Sequence, residues 1–119
     1  MSPDRRAKGR AGEDAACAEL SRQGFEIVER NWRVREGEVD VIARRGDLLV
    51  FAEVKSRTGT AFGAPEESVT PAKARRLRSL AAQYLATGST HGQVRFDVFA
   101  VMLDPRSEVL ELRHIPDAF

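Results

Sequence analysis

The chain has 119 residues, 42% of them hydrophobic, which suits one domain with one core and leaves no room for a second catalytic domain. A formal net charge of +1 excludes recognition of nucleic acid by global basicity, and a single cysteine, Cys17, excludes both an internal disulfide and a thiolate zinc cluster. No apolar run approaches the ~20 residues that cross a bilayer and no signal-peptide pattern is present, so a soluble cytoplasmic protein without a membrane partner is expected.

From about Ala7 to Gln23, small and apolar residues recur at helical spacing through Gly12, Ala16 and Leu20, and Gly24 is placed to end the helix. Glu13 belongs to this stripe, three, four and seven positions before Ala16, Cys17 and Leu20, and is expected to point inward. Phe25 to Trp32 reads as a strand. Val39–Ala43 and Leu48–Lys55 then form a hairpin around Gly46-Asp47, with glycine where a type II′ turn requires positive φ.

That turn sets the register. If Arg45 faces Leu48, then Asp40 lies opposite Glu53 and Glu38 opposite Lys55, and strand parity puts all four on one face. The other face carries Val39, Val41, Ala43, Val50, Ala52 and Val54, an apolar set suited to packing on a helix. Two carboxylates directly across a strand pair repel unless a counter-charge sits between them, and a divalent cation supplies one. Charges dropped into a buried apolar strand are otherwise costly.

Ser56 to Ser68, with Gly59, Gly63 and Pro65, reads as a loop. Thr70 has the character of an N-cap and Pro71 of the first helical residue, followed by Leu77, Leu80, Ala81, Tyr84 and Leu85 at helical spacing up to Gly88. Val94–Leu103 and Val109–Ile115 are strands joined by the turn Asp104-Pro105-Arg106-Ser107. The order is α-β-β-β-α-β-β in a single domain, residues 1–119, with a mixed sheet flanked by helices. His91 and His114 have no metal spacing, and Cys17, Trp32 and Tyr84 read as core residues.

Glu13, Asp40, Glu53 and Lys55 form the first candidate site. Their oxygens suit a hard cation, Mg²⁺ or Mn²⁺, that keeps several waters, while Lys55 can position an attacking water, take its proton or contact a phosphate. On charge pattern alone, a buried ion-pair network explains the same residues equally well. Glu38 is read first as a cross-strand partner of Lys55 and second as a supporting ligand. Arg57, Lys73, Arg75, Arg76 and Arg78 are candidates for phosphate contacts. The three helix arginines serve equally as a solvated face, whereas Lys73, four residues before Leu77, lies at the edge of the packed stripe.

A helix with a glutamate, strands bearing an aspartate and Glu-x-Lys, then a basic helix and further strands, resembles the core of the PD-(D/E)XK nucleases, or restriction-endonuclease-like fold. Within that superfamily it is most similar to archaeal Holliday junction resolvases. Through Gly12-Glu13, Gly24-Phe25, Arg30-Asn31-Trp32-Arg33, Gly37-Glu38-Val39-Asp40, Phe51-Ala52-Glu53-Val54-Lys55-Ser56-Arg57 and Phe62-Gly63, nearly the whole chain resembles the small bacterial YraN family. The resemblance implies Asp40 and Glu53 as metal ligands, Lys55 as the catalytic lysine and Glu13 as a helical acid that helps bind metal. Val39 stands where the superfamily motif has proline. The expected activity is metal-dependent hydrolysis of DNA, branched or structured, by a possible homodimer. The alternative is a nucleic-acid-binding module of the same fold with little independent turnover.

Overall fold

The computed structural model describes residues 3–58, 70–88 and 91–119, the side chains of 3–8 excepted. Helix α1 (Pro3–Arg22) leads into the strands β1 (Glu26–Val34), β2 (Gly37–Arg45) and β3 (Leu48–Thr58). Helix α2 (Pro71–Leu85) then precedes β4 (Gln93–Leu103) and β5 (Val109–Ile115). The sheet order is β1-β2-β3-β4-β5; β3 and β4 run parallel, and every other neighbouring pair is antiparallel. This is the expected α/β order with a mixed sheet.

The faces follow from strand alternation. Val50 and Ala52 join Val41, Ala43, Phe99 and the α1 residues Ala16, Cys17 and Leu20 in one core cluster. Leu49 and Phe51 turn the other way, into a cluster with Ile42 and the α2 residues Leu77, Leu80, Ala81 and Tyr84. The sheet is thus covered by one helix on each face. Trp32 and Tyr84 meet edge to face at 5.3 Å within the second cluster, and Cys17 is buried in the first, so all three are core residues. Burial raises the Cys17 thiol pKa.

Local chemistry sets the ends of the elements. Gly24, with φ 92°, lets α1 close in a Schellman motif: Phe25 N–H donates to Leu20 O, Gly24 N–H to Ser21 O, and Phe25 and Leu20 share the core. Gly46 has φ 61° while Asp47 keeps negative φ, as a type II′ turn demands, and Arg45 does face Leu48. The Thr70 hydroxyl caps α2 by accepting the Lys73 N–H, with Pro71 in the first turn.

β3 runs three residues past Lys55. Ser56, Arg57 and Thr58 belong to a strand rather than a loop, because β4 offers them the parallel partners Val101, Met102 and Leu103. The remainder of the expected loop, 59–68, including Phe62-Gly63, lies outside the described residues.

α1 approaches β3 closely at Gly12, where an added Cβ would fall 1.9 Å from Ser56 Oγ. Gly12→Ala is therefore expected to lose about 1–2 kcal/mol, although alanine gains about 1 kcal/mol of helix propensity over glycine. Adding Ser56→Ala should restore most of that loss. Urea melts of the single and double variants measure it, and a neutral or stabilised single variant would mean that α1 does not depend on this contact.

Asp97 on β4 is fully buried and saturated. Arg95 donates to both its oxygens at 2.8 Å, His114 Nε2 meets Oδ2 at 2.7 Å, and the Asp117 N–H reaches Oδ1 at 3.1 Å. His114 stacks on Phe99 and touches Gln23 through Nδ1, so it is a structural histidine.

Candidate functional site

Between β2 and β3 the paired register runs from Arg45↔Leu48 to Val41↔Ala52 and follows the expected phase. Asp40 breaks it. Its Oδ2 accepts the Val54 N–H at 2.7 Å, so a side chain takes the place of a backbone acceptor at the point where the two strands part. Alternation along β2 breaks with it: Val39 packs with Ile42, Leu77 and Leu80 on the α2 face, not with Val41 and Ala43 as expected.

The facing strand is distorted at the same level. Between the pairs Arg30↔Val41 and Trp32↔Val39, Asn31 lies across from Asp40 with φ 53°, left-handed backbone that asparagine tolerates better than most residues. Its Nδ2 donates to Glu13 Oε1 at 3.0 Å. Sequence reasoning gave Asn31 no role, yet an asparagine inside an apolar strand pattern is itself a signal of irregular backbone.

Glu13 does point inward and is 17% exposed, but its Oε1 faces Asn31 and, at 3.6 Å, Arg30. Glu38 does not pair with Lys55. Arg33, its register partner on β1, binds its Oε2, because β2 and β3 have already separated at that level. Glu53 is half-buried, and its Oε2 is buried without a hydrogen-bond partner among the described residues.

Asp40 feels all three acids. Burial is the main force on its carboxyl; the Val54 N–H opposes it, Glu13, Glu38 and Glu53 add to it, and the pKa is pushed up to about 7. The basic side of the site comes from Lys55 on β3 and Lys73 on α2, which lie close enough to influence each other's charge. Close approach of the Lys55 side chain is the first cause of a lowered Lys73 pKa, followed by desolvation and then by the Lys55 charge. Arg76, one turn further along α2, lies within electrostatic range of Lys73, and its Cδ packs 3.9 Å from where a Gly37 Cβ would stand. Arg75 and Arg78 are exposed on another face of the helix, and Arg57 is exposed at the end of β3, where it donates to Ser56 O at 3.4 Å. Asp40 is thus within electrostatic range of Glu13, Glu38 and Glu53, and Lys73 within range of Lys55 and Glu53; Glu13 and Glu38 are held in other pairings, and Arg57, Arg75 and Arg78 point elsewhere.

Among the described residues, no three histidine, cysteine, aspartate or glutamate side chains stand close enough together to hold a metal ion. The donor chemistry nevertheless fits Mg²⁺. Asp40 and Glu53 are hard carboxylates, Glu53 Oε2 is a buried acceptor orphaned among the described residues, and Mg²⁺ takes one or two carboxylates and fills its remaining positions with water.

The raised Asp40 pKa gives a test. The folded state holds this proton from the unfolded value near 4 up to about 7, so stability falls as pH rises through that window and the penalty is complete above it. Asp40→Asn keeps an acceptor for Val54 and removes the charge. Without metal it should be more stable than wild type by about 1–3 kcal/mol at pH 8, after solvent screening, with no gain near pH 4. Thermal melts at the two pH values check this, and calorimetric titration with Mn²⁺ should show weakened binding in Asp40→Asn and Glu53→Gln. An unchanged titration in both would dismiss the pair as a metal site.

A family model described as "Uncharacterised protein family UPF0102" matches residues 12–101. The chain is 49% identical over 114 residues to a UPF0102 protein of Rhodococcus opacus, covering 95% of this chain and 96% of the relative. It is 45% identical over 120 residues to one of Pelotomaculum thermopropionicum, covering all of both, and 42% identical over 112 residues to one of Dictyoglomus turgidum, covering 93% and 95%. With most of its length matched by the family model and full-length relatives well above 30% identity, the chain belongs to the UPF0102, or YraN, family.

Proposed function

We propose that this protein is a metal-dependent endonuclease of PD-(D/E)XK type that hydrolyses phosphodiester bonds in DNA, with branched or structured DNA as its preferred substrate. The observation that supports the reading is Asp40 at the point where β2 and β3 part, within electrostatic range of Glu53, with Lys73 on α2 within range of both Lys55 and Glu53. Asp40 and Glu53 are the residues that would hold Mg²⁺, which when bound supplies charge neutralisation at a phosphoryl oxygen. Lys55, two residues beyond Glu53 and so on the same face of β3, orients the attacking water or holds the phosphate. Glu13, through Asn31, fixes the irregular backbone opposite Asp40.

A second reading, a nucleic-acid-binding module of the same fold, draws support from the engagement of Asp40 by the Val54 N–H and of Glu13 by Asn31. Purified protein incubated with labelled linear, nicked, flapped and four-way DNA in Mg²⁺, Mn²⁺ or EDTA decides between them. EDTA-sensitive cleavage supports the nuclease, binding without cleavage supports the module, and neither result supports neither reading.

Symmetric cleavage of a junction requires two sites, so the proposal extends to a twofold homodimer. The edge strand β5 offers exposed apolar surface at Val109 and Leu110. Light scattering with and without a four-way junction should reveal the dimer, and a strict monomer in both conditions would rule out the symmetric model. No helix among the described residues is long and apolar enough to cross a membrane.

A further inference from the structure

A chain of side-chain hydrogen bonds runs from the end of α1 through β5 into β4. Gln23 Nε2 stands 2.7 Å from Glu19 Oε2 and 3.1 Å from His114 Nδ1, and His114 Nε2 meets the buried Asp97 Oδ2 at 2.7 Å. The ends of the chain fix which groups donate. Arg22 donates to both Glu19 oxygens, at 2.9 and 2.6 Å, and together with Gln23 holds that carboxyl down to about 2, so Glu19 is ionised and only accepts. The Gln23 atom facing it is therefore the amide nitrogen, whose second hydrogen goes to Nδ1. Nδ1 thus accepts, the imidazole proton sits on Nε2, and His114 is neutral as it donates to Asp97.

Every member is satisfied only in that state. A second proton on His114 would set Nδ1–H against the Gln23 NH₂. Turning the amide over offers Oε1 to Nδ1–H but points the same oxygen at the Glu19 carboxylate, and leaving it in place breaks the bond to Nδ1. Gln23 loses one partner either way, while the bond from Nε2 to Asp97 becomes charge-assisted at both ends.

We infer that Gln23 and His114 form a proton-controlled clasp: neutral His114 ties the end of α1 to β5 and β4, and protonated His114 releases the helix and holds β4 more tightly. The groups that face the imidazole come from three sides. From α1 these are Glu19, with Arg22 on it, and Gln23; from β4 they are Asp97, with Arg95 on it, and Phe99, stacked at 4.2 Å. The C-terminal segment adds the Asp117 N–H on Asp97, and its carboxylate lies within electrostatic range of Arg95. Arg45, on β2, donates to the Gln23 backbone carbonyl at 2.9 Å and so anchors the residue whose side chain changes partner. The clasp goes beyond the nuclease reading and requires no turnover.

The chain has two histidines, His91 and His114, which makes the test direct. Long-range ¹H–¹⁵N spectra of the imidazoles, assigned with His91→Gln, should show His114 as the Nε2–H tautomer at pH 8. On acidification the side-chain NH₂ signals of Gln23 should move with the His114 midpoint. Gln23→Met removes the opposing donor and should raise that midpoint by about half a pH unit, and Gln23→Glu, which offers Nδ1–H a carboxylate, by about one unit or more. Exchange of the Gln23, Gly24 and Phe25 backbone amides, corrected for intrinsic rates, should quicken severalfold below the midpoint in wild type and stay flat in Gln23→Met. An Nδ1–H tautomer, equal midpoints in wild type and Gln23→Met, or Gln23 signals and helix-end amides that ignore the midpoint would overturn the clasp. So would a His114 that takes up no proton before acid unfolding in any of the three proteins.

Discussion

Lys55→Ala is expected to reduce DNA cleavage by about a hundredfold or more while weakening DNA affinity by no more than about fivefold. The asymmetry follows from what one lysine does at each stage. Binding along a duplex sums several phosphate contacts, so one lost ammonium removes a small share, whereas a misplaced attacking water is felt in full at the transition state. On the proposed reading, Lys73, within electrostatic range of Lys55, remains in the variant to contact the backbone. Single-turnover cleavage and a salt-controlled binding titration on the same preparation measure both quantities. Cleavage at the wild-type rate by highly purified Lys55→Ala would remove the proposed role and point to a contaminating nuclease.

The largest effect on stability is expected at Asp97, far from the site in chemistry. Asp97→Ala removes a fully buried carboxylate and leaves the Arg95 charge, the His114 ring and the Asp117 N–H without their acceptor. Removing one partner of a buried charge pair typically costs about 3–5 kcal/mol, a large part of the ~5–15 kcal/mol of a small domain. Burial alone would raise the Asp97 pKa, but donors from His114, Arg95 and the Asp117 backbone outweigh it and hold the carboxyl below its ordinary value. Its stabilisation is therefore complete above the unfolded value near 4 and is lost as pH falls through the folded value. Urea unfolding of wild type and Asp97→Asn should show a gap at pH 7 that narrows below about pH 4. Equal stability at pH 7 would mean that the network contributes nothing.

Much of this was legible in the chain. Gly46-Asp47 dictates a tight turn, the turn dictates the pairing of Val41 with Ala52, and the alternation of Leu49, Val50, Phe51 and Ala52 assigns each face its helix. Lys73 could be placed near the site from helical spacing alone. The failures share a cause. Extrapolating the hairpin register to Glu38 and Lys55 assumes a ladder that continues, but the Asp40 side chain replaces a backbone acceptor, and with that the strands separate, Val39 changes face and Glu38 finds Arg33. Ser56 to Thr58 read as a loop because their partners on β4 lie far away in sequence, and a local pattern carries no record of them. The convergence of Arg95, His114 and the C-terminal segment on Asp97 is likewise tertiary.

The single parallel junction in the sheet has a bearing on the order in which the protein assembles. β1, β2 and β3 follow one another as a meander, so the contacts that create the Asp40 and Glu53 environment close short loops, whereas every β3–β4 pair joins positions 45 residues apart. Loop-closure entropy favours the local pairings, and contacts of long sequence separation slow a folding reaction. The half of the chain that carries the candidate chemistry thus has the means to organise first, and the half sealed by Asp97 docks onto it as the slow step. Until then the β3 edge, with its apolar neighbours Phe51 and Ala52, stays open to a wrong partner, so a newly made chain is most prone to aggregate before β4 arrives.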